Sequence, residues 1–271
     1  MPSSRRSRTV TRSTAPETPR LTSLVARQDV LLLGGLVAVT AVSWLYLFRL
    51  ARDMDGMGHC AEMMMPGADG MSIGWILAMW VVMMVAMMVP TAAPMTLLYA
   101  RFCRGHSPSV PAVPPTSLFL VGYVVAWTLF SAAATALQVG LQRTAVMSLT
   151  DMKLVSPAAG GVILIVAGLF QWTSWKNACL SRCRSPIGFF MTEWRDGTGG
   201  AFVMGLHHGL FCIGCCWTLM LLLFVLGAMN MLWIAALTAL VLIEKVAPQG
   251  DQVARAVGVA MVGGGVWMIA A

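Results

Sequence analysis

Soft metal ligands stand where a lipid-embedded helix would otherwise be bland: His207-His208-Gly209-Leu210-Phe211-Cys212-Ile213-Gly214-Cys215-Cys216-Trp217 lies inside a long apolar run. Wound at about 100° per residue, His208, Cys212, Cys215 and Cys216 fall within an arc of roughly 100°. Imidazole and thiolate suit Cu(I) or Zn(II) far better than Mg or Ca. His207 points about 100° away from that face and reads as a polar residue satisfied locally, whereas His208 reads as a ligand. The chain also holds 22 methionines in 271 residues. Cysteine, histidine and methionine gathered in one hydrophobic protein point first to copper, with zinc second.

Three further groups could handle the same ion. Between the first two apolar runs, Met54, Met57, His59, Cys60, Met63, Met64 and Met65 crowd a short stretch broken by Gly56, Gly58, Pro66 and Gly67, which argues for an irregular loop over 51–72. Thioethers are neutral and form no disulfides, so they can hold Cu(I) in an oxidising compartment. In the second run, Met88, Thr91 and Met95 lie within about 40° of Met84, with Met87 about 60° away. A single methionine there is more often packing than a ligand; the set Met84, Met87 and Met88 facing a cysteine helix suggests a copper path. Pro90 and Pro94 interrupt the same run and leave carbonyls that must find other partners. Finally, Cys179 and Cys183 at i and i+4 can share one ion, with Arg182 and Arg184 favouring thiolate.

The elements that must position these groups follow from composition. Hydrophobic residues make up 58% and charged residues 11% of the chain, the signature of a polytopic membrane protein. Apolar runs at about 28–49, 73–99, 118–142, 157–175, 200–227, 230–247 and 254–271 give an all-α transmembrane bundle of about seven spans. Residues 1–26 are rich in Arg, Ser, Thr and Pro and read as a disordered basic tail, ahead of one membrane domain over 27–271.

Fourteen of the 18 lysines and arginines fall on one side if the N-terminus is inside, and four (Arg49, Arg52, Arg143, Lys153) on the other. The expectation is an inner (cytoplasmic) bacterial membrane protein with its N-terminus cytoplasmic and its C-terminus outside. The net charge of +7 is then a topology signal, and no basic face interleaved with aromatics suggests nucleic acid. Cys60 is the one cysteine outside, so no structural disulfide is expected. Glu244-Lys245, at the inner end of the sixth run, reads as a headgroup anchor.

Taken together, these segments resemble a bacterial family of predicted metal-binding integral membrane proteins, whose best-described kind is the membrane copper chaperone of tyrosinase operons. The resemblance rests on Met79-Trp80-x3-Met84-x-Ala86-Met87-Met88-x-Pro90, on Lys176-x2-Cys179-Leu180-x2-Cys183-Arg184-Ser185-Pro186, and on His208-Gly209-x2-Cys212-x-Gly214-Cys215-Cys216-Trp217. Met229-Asn230 and Glu244-Lys245 fit as well, and the match covers roughly residues 70–260. It implies copper supply to a cuproenzyme client.

Two other functions compete. A thiol–disulfide membrane oxidoreductase would use the same cysteines, but the outer loop has no Cys-x2-Cys pair and adjacent Cys215 and Cys216 make a strained disulfide at best. A copper transporter is favoured mildly by the proline-interrupted helix, and the absence of an internal repeat speaks against it. No phosphate-cradling glycine loop, nucleophile elbow or paired catalytic carboxylates suggest an enzyme.

Overall fold

A computed structural model describes the backbone of residues 19–57, 73–106, 113–147 and 153–271, with side chains over 28–53, 73–105, 113–147 and 153–271. The described residues form nine helices: α1 (Pro19–Met57), α2 (Ile73–His106), α3 (Val113–Arg143), α4 (Pro157–Phe170), α5 (Ser174–Arg184), α6 (Pro186–Glu193), α7 (Gly197–Leu226), α8 (Met231–Val246) and α9 (Gly250–Ala270). One isolated antiparallel bridge, Met147 to Leu154, is the exception among them.

Five of these helices, over residues 28–53, 73–105, 113–143, 197–226 and 250–270, are long and apolar enough to cross a membrane. The described residues thus give five such helices, or six if the bent pair α4–α5 is one span, and do not confirm the expected count of about seven, for two physical reasons. The fourth run breaks at Gln171: α4 and α5 meet at 63°, because Thr173 caps a new helix by accepting from the Lys176 N–H. The sixth run is α8, whose 16 residues reach about 24 Å, short of a bilayer core of about 30 Å. Asn230 caps α8 by accepting from the Leu232 and Trp233 N–H groups, after Gly227 turns the chain at φ 94°.

Helix α1 runs on to Met57, so Met54 and Met57 sit on helical backbone; one glycine, Gly56, weakens a helix by about 1 kcal/mol without ending it. At its other end α1 starts at Pro19, inside the stretch read as a disordered tail. Proline suits a first helical position, and 20–27 contains no further helix breaker.

Helix α7 is the centre of the bundle. Over half of its apolar window is buried, 56%, against 17% for α1 and 22% for α9, which present Val30, Leu31, Val42, Val259 and Trp267 outward. It packs most extensively on α3, and also touches α5, α4 and α8. The α3 contact depends on small residues. A side chain at Gly205 would collide with the Phe119 carbonyl, and one at Gly209 would meet Ala126 and Tyr123. The Gly205-x3-Gly209 spacing thus does bring helices together, and its partner is α3 rather than α2. A second such seam joins α4 to α9, where Gly161 faces the Gly265 carbonyl and Gly168 faces the Gly258 carbonyl.

Proline-bearing α2 stays continuous across Pro90 and Pro94. Pro90 has no N–H for the Ala86 carbonyl one turn back. That carbonyl instead accepts from Trp44 Nε1 of α1 at 3.1 Å, so the lost bond becomes an interhelical one.

A candidate metal centre

On α7, His208, Cys212, Cys215 and Cys216 are all buried on the helix's inward face, as their spacing requires. The thiols of Cys215 and Cys216 both donate to the Cys212 carbonyl, at 3.1 and 2.9 Å. The α3 seam brings Tyr123 across from them. Its hydroxyl donates to the Met88 carbonyl of α2 at 3.1 Å and lies 3.1 Å from Cys212 Sγ. His208 is sandwiched by aromatic rings: Phe119 and Tyr123 stack on it at 6.0 and 5.4 Å, and Phe189 meets it edge-on at 5.7 Å. Its Nδ1 is buried with no hydrogen-bond partner. His207 behaves as its direction implies, half-exposed with Nδ1 3.1 Å from Glu193 Oε2.

Helix α5 brings a fourth thiol to the cluster. The Cys179–Cys183 segment, whose i, i+4 spacing suggests an ion-sharing pair, is a helix laid against α7. Cys183 lies beside Cys215, close enough for the two thiols to interact. Gly214 permits this approach, since a Cβ there would stand 2.8 Å from Cys179 Sγ. The two α5 cysteines are half-buried while the three on α7 are fully buried, and all five are free thiols.

Glu244 and Lys245 are not headgroup anchors. Both are buried, because α8 is too short to carry its end to a membrane surface and packs on α2, α5 and α7 instead. Lys245 Nζ donates to Cys212 Sγ and to Thr91 Oγ1, each at 2.9 Å. Glu244 pairs at 2.7 Å with Lys176 of α5, at side-chain exposures of 2% and 1%, and Lys176 also donates to Gln171. A charge this deep is stable only when paired. Lys176 has its carboxylate; Lys245 has a sulfur.

Met84, Met87 and Met88 are wholly buried, together with Met79 and Met83. They belong to the same apolar cluster as Cys212, Cys215 and Cys216. The two groups meet through Tyr123, which bridges the Met88 carbonyl to Cys212. Of the outer methionine segment, Met54 and Met57 are described as backbone alone, and His59, Cys60, Met63, Met64 and Met65 lie outside the described residues.

The donors present are of the kind a soft ion needs: free thiols, an imidazole nitrogen without a hydrogen-bond partner and neighbouring thioethers, in a buried apolar interior. Among the described residues, no three His, Cys, Asp or Glu side chains converge as they would around an ion, with the Cys215 and Cys216 thiols turned back to the Cys212 carbonyl.

Residues 77–268 match a family described as PpoB2, copper chaperone. The chain belongs to the PpoB2 copper chaperone family. No curated protein and no solved structure matches it. The PpoB2 match takes in the α7 cysteines, His208, Cys179 and Cys183, the α2 methionines and Lys245, while the segment from Met54 to Met65 precedes it. Membership in PpoB2 makes copper the metal in question.

Sequence reasoning missed Tyr123, the joining of Cys183 to Cys215, and the roles of Lys245 and Lys176. A signal for the lysines existed: a charged residue at the end of a run too short to span is more economically buried and paired than exposed. Nothing in the sequence pairs Tyr123 with Cys212, since that contact depends on the α3–α7 seam.

Proposed function

We propose that this PpoB2-family protein is a membrane Cu(I) chaperone whose cargo rests on Cys212, Cys215 and Cys216, with Cys183 as a fourth thiol and His208 as an auxiliary donor. The observation that carries this reading is the burial of Cys212, Cys215 and Cys216 on one face of α7, with half-buried Cys183 of α5 beside Cys215, in a chain whose family is copper chaperones. Thiolates bind Cu(I) in two- and three-coordinate geometries, so the ion passes from one sulfur to the next by forming the new Cu–S bond before the old one breaks. Cys179 and Cys183, half-buried beside the fully buried set, offer a ramp between surface and interior. The Met84, Met87 and Met88 row lines the far side. The outer segment of Met54, Met57, His59, Cys60, Met63, Met64 and Met65 captures or presents the ion outside, for handover to a cuproenzyme client.

In this reading the bundle lies in a bacterial inner membrane with its N-terminus cytoplasmic, in accord with fourteen basic residues against four. No catalytic group is required of the chain. The test is equilibrium competition of the detergent-purified, reduced protein against a Cu(I) chelator, compared with a Cys215→Ser/Cys216→Ser variant. Serine keeps the size and replaces a soft donor by a hard one. Loss of tight copper binding in the variant, with wild-type folding, supports the reading. Full copper occupancy in the variant would move the cargo site elsewhere and leave the outer methionine segment to carry it.

A further inference from the structure

Resting on the Cu(I) reading above, we infer that Lys245 is the counter-charge of the loaded site and the residue that sets its preference for a monovalent over a divalent ion. The neighbouring buried charges leave it little other role. Lys176 and Glu244 neutralise each other at 2.7 Å. Among the described residues Lys245 has no carboxylate at ion-pair distance; its ammonium donates to Cys212 Sγ and Thr91 Oγ1, each at 2.9 Å. Helix α8 is capped at Asn230 and stops at Val246, so it delivers this one cation to the cysteine face rather than to a surface.

Charge counting then decides between cargoes. One cuprous ion held by two thiolates, Cys212 and a second from the cluster, carries one net negative charge, which the ammonium cancels. A divalent ion on the same two thiolates is already neutral, and the ammonium leaves it with one uncompensated positive charge in a low-dielectric interior. An N–H donor to a sulfur leaves the other sulfur lone pairs free for metal, so the lysine and the ion can share Cys212.

The experiment compares Lys245→Met with wild type, titrating the full-length purified protein with Cu(I) and with Zn(II) against chelators of known affinity. The expected result is a Cu(I)-over-Zn(II) preference lowered at least about tenfold, with Lys245→Arg, which keeps the charge, close to wild type. A preference unchanged within about threefold in Lys245→Met overturns the inference. If Lys245→Met does not fold, Lys245→Gln, which keeps a donor without the charge, is read in the same way. A wild-type protein that binds no Cu(I) on the cysteines overturns the chaperone reading itself, a result distinct from an unaltered preference.

Discussion

The seam between α3 and α7 and the seam between α4 and α9 are built the same way. In each, glycines let one helix rest on the backbone of the other: Gly205 and Gly209 on α3, Gly161 and Gly168 against Gly265 and Gly258. Their surroundings differ. Beside the α4–α9 contacts lie Ile165, Val262, Met268 and Ile269, with Gln171 and Trp172 at the Gly258 end, so closeness over most of this seam serves packing. Beside the α3–α7 contacts lie His208, Tyr123 and, one turn on, Cys212. A small-residue spacing therefore reports how near two backbones come, and function enters where a polar side chain is carried across that short distance.

The largest effect expected is on stability, where the α4 end of the packing seam borders the site. Lys176→Met would leave Glu244 buried without its cation, a loss of about 3–5 kcal/mol, read as a lowered unfolding midpoint in mixed micelles. Lys176→Met combined with Glu244→Met should recover most of it.

The comparison between seams is broken or kept by a pair of variants. Gly205→Leu and Gly265→Leu should each destabilise by roughly 1–3 kcal/mol, because backbone must move apart. Only Gly205→Leu should also weaken Cu(I) binding, by about tenfold or more, since it moves Tyr123 and Phe119 away from α7. Equal copper affinities in the two folded variants would show that the α3 seam does not shape the site.

Smaller changes sharpen it. His208→Ala removes the unpartnered nitrogen and should lower Cu(I) affinity by roughly three- to tenfold, against less than about twofold for His207→Ala; chelator competition measures both. Tyr123→Phe deletes one hydroxyl between Met88 and Cys212, a loss of about 1 kcal/mol in stability, visible as a small drop in unfolding midpoint with the helical signal intact.

How much of this was legible in the sequence differs by element. The helical class and the inward face of α7 follow from apolar length and a 100° repeat, which depend on nothing outside the segment. The bend at Gln171 and the shortness of α8 depend on caps at Thr173 and Asn230, whose strength is hard to weigh inside a continuous apolar run. The joining of Cys183 to Cys215 could not be read at all, because α5 folds back onto α7 only after that bend. Lys245 was misread for a related reason: its depth is set by where α8 ends relative to α2, a tertiary quantity.

The central claim is that the α7 cysteines hold the ion, and copper K-edge X-ray absorption of the Cu(I)-loaded, detergent-purified protein tests it most directly. The account predicts a low-coordinate first shell of sulfur that is lost when Cys212, Cys215 and Cys216 are replaced together by serine. A shell of nitrogen and oxygen, or a sulfur shell that persists unchanged in the triple variant, would contradict it.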